Sequence, residues 1–414
     1  MIPFLHLFFF VLALPVVLAC LYLGLMTLLS ARVPVPPRSS RTLRFDILVP
    51  AHNETAVIER TVRSLRRIDW PADRFRVVVI ADNCEDDTAA LAHAAGAHVL
   101  VRRDLERRGK GYALAHGIAQ SAATGRADAV AVVDADTEVS PNLLEAYASR
   151  IEQGAEAIQA NYGVLNPDDS WRTRMLTIAY GAFHAVRSRA RERLRVSCGL
   201  RGNGMCLTHA LLARHPFAVF SMTEDLEYGI QLGEAGIRVF YADEAAADAE
   251  LVSSEQASRS QRQRWEGGRF TVVRNYAGHL LKLGVTRPDR VTFELGCDLL
   301  LLPLGYVGLQ IGLLLVLSGI AAWFVPAMDG WFLLSLALLL VLILHVLRGW
   351  QLTPLGPRAL LDLARVPFFV VWKLIVLVRN KSNTAWVKTM RGTDLPDGDM
   401  TNAATHDKPR KDRS

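Results

Sequence analysis

The chain has 414 residues, enough at about 150 residues per domain for two or three domains and a sizeable core. Half of it is hydrophobic (51%) while 21% is charged, which excludes both a disordered chain and a bundle made of membrane spans alone. The formal net charge of +6 suits anionic lipid or phosphate partners and gives no sign of nucleic acid; the five scattered cysteines argue against a disulfide framework or a structural zinc.

From Leu5 to Ala31 the chain is apolar and carries no Lys, Arg, Asp or Glu. At about 1.5 Å per residue such a run crosses a hydrocarbon core of about 30 Å. Val17-Leu18-Ala19-Cys20 has the look of a lipoprotein cleavage box, but no basic segment precedes it and the apolar run continues past Cys20, so the reading is a span. From about Arg44 to Thr286 short apolar runs alternate with helical patterns. Strands are expected over Phe45–Val49, Arg76–Ile80, Ala97–Val101 and Ala129–Val133, with helices over Glu54–Arg67, Asp86–Ala95 and Gly111–Ser121. This order predicts an α/β domain with a mainly parallel sheet and a site at the carboxyl ends of its strands. Between Trp171 and Arg201, Arg172, Arg174, Arg187, Arg189, Arg191, Arg193, Arg195 and Arg201 interleave with apolar residues. A helix with one cationic face is expected there, turned toward anionic headgroups or a lipid-diphosphate acceptor, or else a solvated face packed on the domain.

Two more apolar runs, about Leu299–Val325 and Trp331–Leu347, flank the turn-like Pro326–Gly330 and read as a helical hairpin. Arg32, Arg38, Arg41 and Arg44 follow the first span, Lys282, Arg287 and Arg290 precede the second, and Arg348, Arg358 and Arg365 follow the third. The excess of positive charge on cytoplasmic flanks therefore puts the N-terminus outside and the α/β domain in the cytoplasm. Ala359–Val378 is apolar but interrupted by charge and proline, and reads as an interfacial helix. The expected organisation is a span (1–31), a linker (32–43), the cytosolic domain (44–286), the hairpin (287–347), an interfacial and cytosolic segment (348–393) and a disordered tail (394–414).

Three strand ends carry acidic or amide-rich clusters: Pro50–Glu54, Asp82–Asp87 and Asp134–Asp136. Asp134-Ala135-Asp136 after a buried-strand pattern offers hard oxygens for Mg2+ or Mn2+ together with diphosphate oxygens. The same spacing recurs in the tail at Asp397-Gly398-Asp399 with no strand before it, so context separates the two. Gly109-Lys110-Gly111, between a strand and a helix, lets backbone and ammonium approach phosphate, or is a plain turn. Thr223-Glu224-Asp225 opens a helix, where acidic residues also serve as ordinary capping. Gln261-Arg262-Gln263-Arg264-Trp265 combines phosphate-pairing groups with an indole on which a sugar stacks, or is a solvated helix face.

Together, Val49–Glu54, Ala81-Asp82-Asn83, Gly109–Gly111, Asp134–Asp136, Thr223–Asp225 and the run at 261–265 resemble, in order, the membrane-bound family-2 glycosyltransferases with a GT-A catalytic domain, such as cellulose, hyaluronan and poly-N-acetylglucosamine synthases and, more distantly, ceramide glucosyltransferase. The resemblance covers about residues 44–275. It implies a nucleoside pocket bounded by Pro50, Glu54 and Asp82, a donor diphosphate met by Lys110, a metal on Asp136 with Asp134 nearer the nucleotide, and catalysis at Asp225 beside Glu224. It further implies that Gln261, Arg264 and Trp265 hold the diphosphate and acceptor end, and that Gly202 and Asn203 line the acceptor side. Ala81 stands where a second Asp is frequent, which leaves a uracil base less firmly implied than the metal and diphosphate.

The expected activity is inverting transfer from a nucleotide-diphosphate sugar, a UDP-sugar, to a lipid-linked or saccharide acceptor in exopolysaccharide or glycolipid synthesis at the bacterial inner membrane. Membrane lipids are expected partners, with polysaccharide assembly or export proteins beside them. A processive synthase working as an oligomer or with a partner is the runner-up. From other classes come an inactive nucleotide-sensing membrane protein, which intact Asp136, Asp225 and Trp265 oppose, and a transporter, which spans almost free of ionisable groups oppose.

Overall fold

The computed structural model describes residues 2–251 and 255–365, and for 255–267 the backbone alone. The chain enters through a long apolar helix, α1 (Ile2–Leu28), and then builds the expected alternation. β1 (Phe45–Ala51), α2 (Ile58–Arg66), β2 (Phe75–Asp82), α3 (Thr88–Ala94), β3 (His98–Arg102), α4 (Lys110–Thr124) and β4 (Ala129–Val132) follow one another. Next come β5 (Thr137–Val139), α5 (Leu143–Ile151), β6 (Ala157–Val164), α6 (Trp171–Tyr180), a π-helix (Gly181–Val186) and α7 (Arg187–Arg193). β7 (Met205–Thr208), α8 (His209–Arg214), α9 (Glu224–Glu234) and β8 (Val239–Ala249) complete the α/β domain. All four strands and three helices expected between 45 and 133 are present, with ends shifted by a few residues.

The eight strands form one sheet in the order β3-β2-β1-β4-β7-β6-β8-β5. β3, β2, β1 and β4 run parallel, β7 is antiparallel to both its neighbours, β6 and β8 are parallel, and β5 is antiparallel at the edge. Because strand side chains alternate, Ile47 and Val49 pack on one face with α2 and α5, while Leu48 packs on the other with α4, α8 and α9. Both faces are therefore buried, as the unbroken apolar runs require. The chain order reverses between β1 and β4, so the crevice outside their carboxyl ends is where such a sheet offers a site. The pairing of β6 with β8 shifts register between Ala160 and Asn161, and this bulge redirects the strand just before Tyr162.

Three helices are long and apolar enough to cross a membrane: α1, α12 (Leu304–Phe324) and α13 (Asp329–Gln351) with the turn before it. They share a core of Phe9, Val16 and Leu23 with Val307, Ile311, Leu314 and Leu338. Before them lie α10 (Glu255–Thr286), which carries the 261–265 run, and α11 (Arg290–Leu300). The second span begins at Leu304 and not near Leu299, because α11 ends at Leu300 and the Arg269 guanidinium takes up the carbonyls of Asp298 and Leu301 at that break. The domain-side ends are tied together: Arg348 donates to Ser30 Oγ (2.8 Å), and Thr27 Oγ1 and His345 Nδ1 lie 2.8 Å apart.

The stretch 171–201 departs from expectation. It is helix, π-helix and helix, but its cationic side chains do not make one outward face. Arg187 and Arg191 are 4% and 1% exposed and pair with Asp298 and with Glu294 and Asp298 of α11, Arg189 pairs with Asp243, and Arg174 with Asp362. The acidic partners lie 54 to 188 positions away in the chain, so local periodicity carries no trace of them. Most of the expected interfacial helix at 359–378, the tail and its Asp397-Gly398-Asp399 lie outside the described residues.

Candidate active site

The loops after β1 and β2 are built alike. Asn53 and Asn83 both adopt left-handed backbone, at φ 56° and 52°, a conformation Asn tolerates better than other side chains. Each caps a neighbouring loop: Asn53 Oδ1 accepts from Glu85 N and Asn83 Oδ1 from Asp104 N, both at 2.8 Å. Pro50 lies within β1, and Glu54 donates its backbone N–H to Thr88 Oγ1 at 2.8 Å. Asp82 closes β2, its carboxylate held by Arg102 Nη1 at 2.6 Å and by Asn83 Nδ2 at 3.1 Å. The expected nucleoside-side residues are thus gathered at adjacent strand ends, with one carboxylate oxygen of Asp82 already paired to a cation.

Asp134 and Asp136 follow β4, and Lys110 opens α4 across the crevice. Lys110 Nζ donates to Asp134 Oδ1 at 2.5 Å and to the Gly202 carbonyl at 2.8 Å. Burial works against the ammonium, but Asp134, Glu224 and Asp225 outweigh it and hold its pKa above the usual lysine value. Asn203, fully buried, accepts the Asp134 backbone N–H with Oδ1 (3.1 Å) and donates to Thr137 Oγ1 with Nδ2 (3.0 Å), so it fixes the turn that presents both aspartates.

Glu224 and Asp225 form the first turn of α9. Burial raises both carboxyls; Lys110 opposes this, and the proximity of the two acids adds to it for Glu224, whose pKa reaches about 7. Gly202 is the junction. Its φ is 74°, and a Cβ there would lie 3.2 Å from both Asp225 Oδ2 and Lys110 Nζ, so only glycine lets these groups approach without displacement. Lys110, Asp134, Gly202 and Asp225 therefore share one crevice at the carboxyl end of the sheet.

The side chains of Gln261, Arg264 and Trp265 lie outside the described residues, but the helix that carries them passes the same place: a Cβ on Gly268 would fall 2.5 Å from Thr223 Cγ2. Tyr162, Tyr180, His184 and Arg201 also border the crevice, and the first three do not stand out in the sequence. The Tyr162 hydroxyl hydrogen-bonds with Asn203, and burial together with Tyr180, Asp134 and Asp136 raises its pKa well above the usual tyrosine value. Tyr162 lies on a strand that propensity does not mark, and Arg201 was expected only as one of the arginines of a cationic helix face.

Asp134 and Asp136 supply hard oxygen donors, and among the described residues no group of three or more His, Cys, Asp or Glu gathers at metal-binding distance. That donor set fits a divalent ion held by one or two carboxylates with substrate phosphates completing its shell.

The model of a glycosyltransferase-like family 2 matches residues 43–268. The probable glycosyltransferase YdaM of Bacillus subtilis is 23% identical over 61% of this chain and 60% of its own length. Beta-monoglucosyldiacylglycerol synthase of Synechocystis is 30% identical over 54% of this chain and 47% of its own length, so the matched region spans about half to three-fifths of these relatives. Among solved structures, the mannosyltransferase PcManGT from Pyrobaculum calidifontis, in complex with GDP-Man and Mn2+, superposes with a TM-score of 0.50 at 16% identity. That superposition covers 82% of this chain and 98% of the other, and at this identity it shows the fold alone. With over half of its length matched by the family model, this chain belongs to the family-2 glycosyltransferases, and its fold is GT-A.

Proposed function

We propose that the protein transfers a sugar from a nucleotide-diphosphate sugar, a UDP-sugar in the first instance, to a hydroxyl of a membrane-anchored lipid or saccharide acceptor, inverting the anomeric carbon to give a β-glycoside. The observation that carries this reading is the approach of Asp225 and Lys110 to the same point beside Gly202. Displacing a nucleoside diphosphate needs the leaving charge neutralised on one side and an acceptor hydroxyl activated on the other. Lys110 serves the first need, and its contact with Asp134 gives a carboxylate that hands the ammonium over when phosphate enters. Asp225 serves the second. Its location in a part-buried pocket beside Glu224 raises its basicity above that of a surface aspartate.

Asp136, with Asp134, would hold Mg2+ or Mn2+, which supplies Lewis-acid stabilisation of the diphosphate leaving group. Pro50, Glu54 and Asp82 would bound the nucleoside, and Gln261, Arg264 and Trp265 would meet the diphosphate and the acceptor. Three apolar helices packed against the domain support an acceptor drawn from the membrane, with the catalytic domain in the cytoplasm, the N-terminus outside and the bacterial inner membrane as location. The name of the Synechocystis relative, a synthase of a glucosylated diacylglycerol, supports a glycolipid acceptor over a soluble one.

The test is nucleoside diphosphate release by full-length protein in lipid nanodiscs, across a panel of nucleotide sugars, with lipid acceptors and with Mg2+, Mn2+ or chelator. One donor is expected to be turned over in a metal-dependent way, and Asp225→Asn to slow transfer about 10²- to 10⁴-fold while nucleotide binding persists. Full transfer by Asp225→Asn would remove it from the role of base, and release with no donor from folded protein would sink the reading.

A further inference from the structure

Three buried side-chain nitrogens without a hydrogen-bond partner surround one aromatic ring. They are His184 Nδ1, Arg187 Nε and Arg201 Nε. The ring is Phe183: the guanidinium carbons of Arg187 and Arg201 lie 4.5 and 4.4 Å from its centroid, and the His184 ring packs edge-on at 4.9 Å. Folded proteins rarely leave buried donors unpaired unless a ligand, ion or water completes them.

The charge balance points the same way. Arg187, Arg191, Arg201 and Arg269 neighbour one another, and the carboxylates paired within this group are Glu294 and Asp298. Burial, joined by repulsion from the neighbouring guanidiniums, lowers the pKa of Arg187 to about 9 and of Arg201 to about 10, so both stay cationic at neutral pH with their charge undercompensated. Burial and the same two arginines push His184 well below its usual value and keep it neutral.

The position is specific. Arg201 is joined to Gly202, the residue against Asp225 and Lys110, while on its other side Arg187 faces the Tyr22 ring of α1 at 5.8 Å. Phe183 and Arg201 are only partly buried, so the cluster has an open side. It therefore stands between the proposed base and a membrane helix.

We propose that Arg187 and Arg201, with His184, form a subsite for the phosphoryl group of the acceptor, placed so that an acceptor hydroxyl next to that group reaches Asp225. Two guanidiniums suit this role because their planar donors pair with phosphate oxygens in a fixed fork, which an ammonium does not offer. The proposal deepens the transfer reaction above and rests on it for the role of Asp225.

The experiment is titration of full-length protein in a neutral detergent, without donor, with dihexanoyl phosphatidic acid, with inorganic phosphate and with dihexanoyl phosphatidylcholine as the zwitterionic control. Phosphatidic acid is expected to bind at least ~10-fold more tightly than the control, and Arg201→Gln to weaken it ~10-fold or more. Arg201→Lys restores the charge but not the fork and is expected to recover only part. Competition by inorganic phosphate would show that the site reads the phosphoryl group alone, whereas binding of the lipid only would place its source in the membrane; either supports the subsite. Arg187→Gln alone would leave the buried Asp298 with one guanidinium in place of two, so the double variant Arg187→Gln/Asp298→Asn is the second arm, with folding checked by melting temperature. Equal affinity for phosphatidic acid and the zwitterionic control, or binding of the anion unchanged in Arg201→Gln and in the double variant, would overturn the proposal. These titrations need no turnover, so absent donor turnover would sink the transfer reading while leaving the subsite measurement standing.

Discussion

The half of the domain proposed to hold the donor, β1 to β4 with its helices, and the half packed against the apolar helices, α6 to α7 with β6 to β8 and α11, solve burial differently. In the first, aliphatic side chains fill both faces of a parallel sheet, and most ion pairs lie at the surface, as with Arg63 and Glu59. In the second, charged side chains are interior: Arg187 with Asp298, Arg189 with Asp243, and Arg191 with Glu294. Asp46 with Arg76 and Asp82 with Arg102 are the donor half's exceptions. The difference follows from what each half must join. A sheet and its own helices meet through apolar stripes, whereas α7 must meet a span and α11 where the chain leaves the apolar layer, and there guanidiniums paired with carboxylates fix one docking geometry.

The largest expected effect breaks that docking. Arg191 donates to Glu294 Oε1 at 2.6 Å and to the Cys198 carbonyl at 3.2 Å. Arg191→Met would leave Glu294 and Asp298 buried without it, a loss of about 3–5 kcal/mol. Thermal unfolding of the detergent-solubilised protein measures this, and Arg191→Met/Glu294→Leu is expected to recover part of the loss. A single variant as stable as wild type would mean that the apolar contacts alone hold the halves together.

The same contrast explains what could be read in advance. The strands from 45 to 133 were legible because each is an unbroken Val, Ile, Leu or Ala run closed by polar residues. β8 was not: Tyr241–Ala249 is rich in Ala and acid, a composition that favours helix, and it is a strand because β6 and β5 pair with it on both sides. The positions of Lys110, Asp134 and Asp225 in one crevice match the motif order, whereas the inward turn of Arg187 and Arg191 depends on acids over 100 residues away.

In the donor half the largest effect is on chemistry and not on stability. The Lys110 ammonium contacts both Asp134 and Gly202. Lys110→Met is expected to lower the transfer rate about 10²- to 10³-fold, the usual cost of one lost charge-stabilising donor. Steady-state kinetics with saturating donor checks this; a change confined to KM would make Lys110 a binding residue only.

Where the halves meet, stability should depend on pH. Glu224 is 7% exposed; burial, opposed by Lys110 and reinforced by Asp225 and Asp134, moves its carboxyl from 4.5 to about 7. Between those values the folded chain keeps a proton that the unfolded chain releases. The folded state then binds more protons, so this group's contribution to stability falls as pH rises through that window. Melting temperatures from pH 4.5 to 7 should show that fall, and Glu224→Gln should flatten it; an equal slope in the variant would assign the dependence to other groups.

The smallest effect is the control that gives the comparison its meaning. Arg63 Nη2 lies 2.5 Å from Glu59 Oε1, as close as Arg191 Nε lies to Glu294 Oε1 at 2.6 Å, yet both of its side chains are about half exposed. Water already solvates each charge, and holding two long side chains together offsets most of the attraction. Arg63→Ala should therefore cost only ~0.3–0.5 kcal/mol, and less at high salt. If Arg63→Ala destabilised as much as Arg191→Met, distance and not burial would govern these pairs, and the contrast between the two halves would fail at its physical root.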